Sequence, residues 1–168
     1  MILPRRFSAA AVAMLAIGAP VASAAPAAPA QAAGSAPAGC TGPASSTWLN
    51  VVVSNVRSGD GLIAVTLYAD NSRKFLVHHG SLYVGRVNAT AGTTRACIFV
   101  PQPGVYALAL YHDADSNRSF NRTGFGLPAE GYGFSNNPAT LAGLPSFRSV
   151  RLNVPRTGLT TRVTMKYP

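Results

Sequence analysis

From Trp48 onward, apolar and polar residues alternate along the chain, which is typical of half-buried β-strands. The first strand carries apolar residues at every second position from 49 to 53, and the second from 63 to 67. Ser58-Gly59-Asp60-Gly61 separates them. Because these residue types favour tight turns, the pattern predicts that the two strands form a hairpin.

Turn signals divide the rest of the chain into five further strands. The nearly continuous apolar run 105–113 is typical of a strand that is covered on both faces or central in its sheet. Asp70, Asn71 and Ser72 predict a short helical turn through Val77. The strands after the first two are predicted at 83–89, 93–100, 105–113, 147–154 and 160–167.

The absence of any longer amphipathic helical pattern favours an all-β fold. We predict a seven-stranded antiparallel β-sandwich with Greek-key connections. Its predicted core consists of the inward apolar positions Val51, Val53, Val65, Leu67, Ile98, Leu108, Leu110, Val163 and Met165.

The N-terminus has the features of a secretory signal peptide. Arg5 and Arg6 precede the apolar run 9–19, and Ala22-Ser23-Ala24 follows as a cleavage site. An uncleaved membrane anchor is the alternative, but a span needs about 20 apolar residues. We therefore expect residues 1–24 to be removed and the protein to be periplasmic or secreted, with no transmembrane segment left.

Residues 25–46 are rich in Ala, Pro, Gly and Ser, which predicts a flexible tether. The folded domain is then expected at 47–168, a normal length for one hydrophobic core. Cys40 and Cys97 are the only two cysteines. An even count in an oxidising compartment predicts a disulfide between them.

The chain has a formal net charge of +9, which loss of Arg5 and Arg6 would lower by two, to +7. The basic residues are scattered and do not form a tract, so nucleic acid is not an expected partner. An envelope polymer, a lipid surface or an envelope protein fits an exported basic protein better. The alternative is that the positive charge only keeps the protein soluble.

Segment 114–146 has no strand pattern and is much longer than the usual connection of about 4 to 6 residues. Three of the five carboxylates, Asp113, Asp115 and Glu130, lie in it or at its start. Function is therefore expected here.

Oxygen-bearing side chains occupy every second position at Asp113, Asp115, Asn117, Ser119 and Asn121. This spacing suits a loop around a hard cation such as calcium, to which Glu130 would add a carboxylate. An EF-hand, however, requires Gly at 118 and Glu at 124, where this chain has Arg and Gly. The alternative is that Asp and Asn side chains bond their own backbone in Asx-turns.

The same segment carries several aromatic residues, among them Phe120, Phe125 and Tyr132. They are candidates for an exposed surface that binds a sugar or peptide partner. The alternative is a lid that folds back over the open end of the sandwich.

The sequence gives only weak support for a catalytic site. Ser135 lacks a nucleophile-elbow pattern, and His112 and Asp113 are expected on opposite faces of one strand. A metal-dependent enzyme that uses His112, Asp113 and Glu130 remains the alternative to a non-catalytic binding or structural module.

His112-Asp113 at the end of the apolar run and the later Glu130-Gly131-Tyr132-Gly133-Phe134-Ser135 resemble a bacterial exported family catalogued as domain of unknown function 2141. The resemblance implies a β-sandwich of the transthyretin (prealbumin) type whose function is uncharacterised. Members tend to carry Asp-x-Asn-x-Asn-Gly-x-x-Asp after the His. In this chain Arg118 stands in place of that Gly, and Asn121 in place of the last Asp.

Overall fold

The computed structural model describes residues 35–168. The predicted signal peptide, residues 1–24, and the first part of the predicted tether lie outside these described residues. Within residues 35–168 the chain forms eight strands and one short helix: β1 Thr47–Val56, β2 Leu62–Ala69, β3 Tyr83–Asn88, β4 Gly92–Val100, β5 Gly104–Asp113, β6 Gly131–Phe134, α1 Phe147–Val150, β7 Arg151–Val154 and β8 Leu159–Thr164. This part of the chain contains no helix long and apolar enough to span a membrane.

The strands form two sheets that pack as a sandwich. One sheet has three strands in the order β4-β1-β8. The other has five, in the order β3-β2-β5-β6, and β7 also pairs with β5. The predicted all-β sandwich is confirmed, and β5 is a central strand as its apolar run indicates.

The predicted hairpin between the first two strands is wrong. β1 pairs with β4 and β8, whereas β2 pairs with β3 and β5, so the turn at 58–61 carries the chain from one sheet to the other. A register shift between Ser54 and Val56, with Asn55 at a φ of 60°, marks a bulge at the end of β1, just before this crossing. The pairing of β1 with β8 is parallel, so the sandwich is not purely antiparallel.

Eight strands are present in the described residues where seven were expected. The additional strand is β6, which pairs with β5 inside the segment predicted to lack strands. The sixth predicted strand, 147–154, is correct only in its second half, because Phe147–Val150 forms the helix α1. The predicted helical turn after Asp70 forms a turn rather than a helix, in which the Asn71 side chain accepts a hydrogen bond from the Arg73 N–H at 2.9 Å.

The main core lies between the two sheets, and all nine predicted core residues belong to it. A second cluster covers the outer face of the five-stranded sheet. It consists of Tyr68, Phe75, Ala107, Ala109, Phe134 and Val150, with Tyr132 and Phe147 packed against it. The sandwich therefore buries apolar side chains on both faces of β5.

Cys40 and Cys97 form the predicted disulfide. Next to it, Thr41 exchanges backbone hydrogen bonds with β4, to the Cys97 carbonyl at 2.9 Å and from the Phe99 N–H at 3.0 Å. The Ser45 hydroxyl donates to the Val100 carbonyl at 2.6 Å. These contacts cover the free edge of β4 and fasten the chain before β1 to the sheet.

Candidate functional site

The candidate site begins where β5 ends and continues to β6. β6 was missed because its sequence, Gly-Tyr-Gly-Phe, contains two residues of low strand propensity. Both glycines are required by packing: a Cβ at Gly131 would collide with the Tyr167 ring, and one at Gly133 with the Val163 side chain. The alternation of glycine with aromatic residues is the signal that would have identified the strand.

Three carboxylates converge at this end of the sheet. Asp113, Asp115 and Glu130 each present an oxygen so that all three lie within 4.8 Å of one another. Asp113 is fully buried, Glu130 is half-buried and Asp115 is exposed. The turn after β5 and the start of β6 bring them together, since Glu130 directly precedes the strand that pairs with β5.

One oxygen of the buried carboxylate lacks a partner. Asp113 Oδ2 accepts a hydrogen bond from the Arg118 N–H at 2.9 Å. Asp113 Oδ1 is buried and accepts none. A buried carboxylate oxygen without a donor or cation is costly, so this atom is the chemically unusual feature of the cluster.

Asp115 organises the exposed side of the loop. Its Oδ1 accepts from the Asn117 N–H at 3.1 Å, and its Oδ2 accepts from the side-chain amides of Asn117 and Asn121 at 2.8 and 3.0 Å. Asn117 Oδ1 in turn accepts from the Ser119 N–H at 2.7 Å. These are the Asx-turns of the alternative interpretation. Of the predicted ligands, Asn117 and Asn121 therefore direct amide N–H groups at Asp115, and Ser119 contributes its backbone.

The charges of the cluster act on each other. The hydrogen bond from the Asn117 N–H is the main cause that lowers the pKa of Asp115. Burial raises the pKa of Glu130, and the negative charges of Asp115 and Asp113 raise it further, although its Oε2 accepts from the Asn121 N–H at 2.9 Å. Ionised Glu130 is therefore held close to two other negative charges.

Arg118 adopts a left-handed backbone conformation, with a φ of 64°. Both an EF-hand loop and the family that this sequence resembles tend to carry Gly at this position. The Arg118 N–H donates to Asp113, and its carbonyl accepts from the Tyr111 hydroxyl at 3.1 Å. The loop thus follows a path suited to glycine in spite of the arginine side chain.

His112 is engaged elsewhere. Its Nε2 lies 2.8 Å from the Asp60 carbonyl and its Nδ1 lies 2.8 Å from the Tyr167 hydroxyl. Since a carbonyl only accepts, Nε2 carries the proton and Nδ1 accepts from Tyr167, which itself accepts from the Arg57 N–H at 2.9 Å. The sequence did not indicate this network, because Tyr167 and Arg57 are far from His112 along the chain.

The three candidate partner-surface aromatics are separated. Phe120 and Tyr132 lie half-buried beside a pocket on the outer face of the five-stranded sheet. Phe125 is 96% exposed at the tip of a hairpin-like turn that is closed by a bridge between Arg122 and Pro128. The rings that do fold back therefore cover the sheet face rather than an open end of the sandwich.

Ser135 is fully buried and structural. Its hydroxyl accepts from the Leu108 N–H at 3.1 Å and donates to the Val150 carbonyl at 2.5 Å. It thereby joins β5, β6 and the end of α1. Both functions of the hydroxyl are used within the fold.

Residues 51–162 match the family described as an uncharacterized protein conserved in bacteria, DUF2141. This range is two thirds of the chain and runs from β1 into β8. The chain belongs to this family. No curated protein and no solved structure matches the chain.

The DUF2141 match includes the whole of segment 114–146 and all three clustered carboxylates. Cys40 and Tyr167 lie outside it. The disulfide to Cys97 and the hydrogen bond of Tyr167 with His112 are therefore contacts between the DUF2141 region and residues that flank it.

Proposed function

We propose that this DUF2141 protein is an exported, non-catalytic binding module, and that Asp113, Asp115 and Glu130 hold one calcium ion that sets the conformation of its binding segment, 113–146. The observation that carries the proposal is the buried, unpartnered Asp113 Oδ1 within a group of three carboxylates. A divalent cation would give this oxygen a partner and offset the negative charges of Asp113 and Asp115, which add to the effect of burial in raising the pKa of Glu130.

Calcium suits this arrangement better than magnesium. Calcium accepts six to eight oxygen ligands in irregular geometry, whereas magnesium requires a near-ideal octahedron. Three carboxylates from an irregular loop supply part of such a set, and water and backbone oxygens would complete it. Affinity in the range of extracellular calcium modules, about 10⁻⁴ to 10⁻³ M, is expected.

Segment 113–146 also supplies exposed apolar surface for a partner. Phe125, Leu127, Leu141 and Leu144 are all exposed in it. Together with the positive charge of the chain, this favours an anionic envelope polymer or an envelope protein as partner. The disulfide supports an oxidising location, periplasmic or secreted.

The environment of the candidate catalytic groups supports a non-catalytic role. The Ser135 hydroxyl and both ring nitrogens of His112 are used in hydrogen bonds within the fold. A metal-dependent enzyme that uses His112 beside Asp113 and Glu130 would have to break the bond with Tyr167 first. We propose in addition that the sandwich is of the Greek-key, transthyretin-like type that the family resemblance implies.

Calcium titration tests the site. A ligand that binds only the folded state stabilises by RT ln(1 + [L]/Kd), about 2.7 kcal/mol at a hundredfold excess over Kd. We expect a saturable rise in melting temperature for the natural protein and for Asp60→Asn, which alters an exposed carboxylate outside the cluster. Asp115→Asn and Glu130→Gln should each abolish most of the rise.

The outcomes separate the two interpretations of the loop. If calcium leaves the melting temperature unchanged while the two cluster variants are strongly destabilised, the carboxylates are structural acceptors and the calcium proposal is wrong. Intact-mass measurement of protein recovered after export tests whether the signal peptide, residues 1–24, is removed. A retained residue 1–24 segment would contradict the proposed signal peptide.

A further inference from the structure

A pocket lies on the outer face of the five-stranded sheet, apart from the acidic cluster. It is an open recess with a volume of about 130 Å³. This is smaller than the roughly 300 to 1,000 Å³ of sites that enclose a drug-sized ligand, so a ligand bound here keeps one side exposed to solvent. Its walls come from three separate connections: Phe120 and Arg122, Gly143 and Leu144, and Leu76.

The recess arises from the residues that neighbouring strands place side by side. Thr66 of β2 pairs with Ala109 of β5, and both are small residues on the outer face. The adjacent row pairs Tyr111 of β5 with Tyr132 of β6. Phe134 of β6 continues the first row, so the two small side chains are flanked by rings, which leaves a hollow with aromatic sides.

Two pairs of rings in contact with each other form the aromatic wall of the pocket. Tyr111 and Phe120 lie with ring centroids 5.6 Å apart at an interplanar angle of 51°. Tyr132 and Phe134 lie 6.0 Å apart. These rings belong to strands of the sheet or are packed against them, so the apolar part of the pocket is largely preformed.

Arg122 gives the pocket its charge. Its guanidinium lies 4.9 Å above the Phe120 ring, and one nitrogen, Nη1, donates to the Gly126 carbonyl at 2.8 Å. A guanidinium has five N–H donors, so others remain for a ligand. Among the described residues that line the pocket, Arg122 is the charged one and no carboxylate is present. A guanidinium over an aromatic wall favours an acidic group attached to a flat ring.

We propose that this pocket binds a small organic acid that carries an aromatic or similarly flat apolar ring. The ring lies against Tyr111, Phe120 and Tyr132, and the acidic group accepts hydrogen bonds from Arg122. Leu144, at the rim, contacts the part of the ring that faces solvent.

Two fluorescent probes that differ in one group test the proposal on the full folded protein. 1-Anilinonaphthalene-8-sulfonate has two aromatic ring systems and an acidic group, and N-phenyl-1-naphthylamine is the same molecule without the sulfonate. Titrations in the presence of EDTA keep the result independent of the proposed calcium site. We expect saturable binding of the sulfonate with one site per chain and weaker binding of the neutral probe.

Variants then assign the site. Arg122→Gln should weaken sulfonate binding about fivefold, equivalent to ~1 kcal/mol, and change binding of the neutral probe by less than about twofold. Arg122→Lys should restore part of the loss. Arg95→Gln removes an exposed arginine on β4, in the other sheet, and should change neither affinity. Phe120→Ala should weaken the binding of both probes. If Phe120→Ala does not fold, Leu144→Ala is used in its place.

The proposal is overturned if neither probe binds saturably, or if Arg95→Gln affects the sulfonate as much as Arg122→Gln does. It is also overturned if Phe120→Ala and Leu144→Ala leave both affinities unchanged, because the probes then bind elsewhere. Circular dichroism and thermal melting establish that each variant is folded.

Discussion

The middle of β5 and its C-terminal end are stabilised in different ways. Around Leu108, the inward side chains are buried between the two sheets and the outward ones are buried in the second apolar cluster. Around Asp113, the chain bonds its own backbone through Asp and Asn side chains, holds Arg118 at a positive φ and brings three carboxylates together. The first arrangement is stable by burial alone, whereas the second carries strain and repulsion. Such costs are typical of regions that bind something.

The largest expected effect comes from the core. Leu108 is fully buried, so Leu108→Ala should lower the free energy of unfolding by about 3 kcal/mol through lost burial and a residual cavity. Leu141→Ala is the matched control, since Leu141 is 85% exposed in the binding segment and should be nearly neutral. Denaturant melts measure both. Equal effects would remove the contrast between the two regions.

A substitution in the loop, Arg118→Gly, is expected to raise the free energy of unfolding, by less than Leu108→Ala lowers it. Arg118→Gly keeps the backbone bonds to Asp113 and Tyr111 and removes the strain of a left-handed arginine. We expect stabilisation by about 0.5 to 1 kcal/mol, because strain relief outweighs the greater chain entropy of unfolded glycine.

The same substitution removes a positive charge next to the cluster, so it should also tighten calcium binding. Arg118→Gln separates the two effects, since it removes the charge and keeps the strain. A glycine variant that is less stable than the natural protein would contradict the strain argument.

The smallest effect is a dependence on pH. Burial raises the pKa of Glu130 above its ordinary value of 4.5. The stability that Glu130 contributes is therefore fully present below pH 4.5 and is lost as the pH rises through the raised pKa of the folded state. In EDTA, the natural protein should lose stability relative to Glu130→Gln across that interval.

With calcium present, the natural protein should instead gain stability relative to Glu130→Gln as the pH rises, because only the ionised carboxylate binds the ion. Melting curves of the two proteins at a series of pH values, with and without calcium, measure both slopes. Parallel curves in EDTA would contradict a raised pKa of Glu130 in the folded state.

Several features of the site were within reach of sequence reasoning. The concentration of carboxylates, the length of the segment and its position after the apolar run 105–113 all follow from residue order. The approach of Glu130 to Asp113 did not, because it depends on β6. That strand was hidden by two glycines whose role is to let Tyr167 and Val163 pack closely. The sheet pocket was likewise hidden, since it requires Thr66, Ala109 and Tyr132 from three strands.

Residue order alone was enough to locate most strands, their buried faces, the cysteine pair and the segment that departs from the strand pattern. Alternation is a local property, and it is the same whether a strand pairs with its sequence neighbour or with a distant one, in either direction. Packing of the whole chain selects β4 and β8 as the partners of β1, with β8 parallel to it. It also places the His112 ring against Tyr167 and brings Asp113 to the other two carboxylates. Those choices depend on contacts between residues far apart in the chain, because the two sheets bury their apolar faces only when they pack against each other.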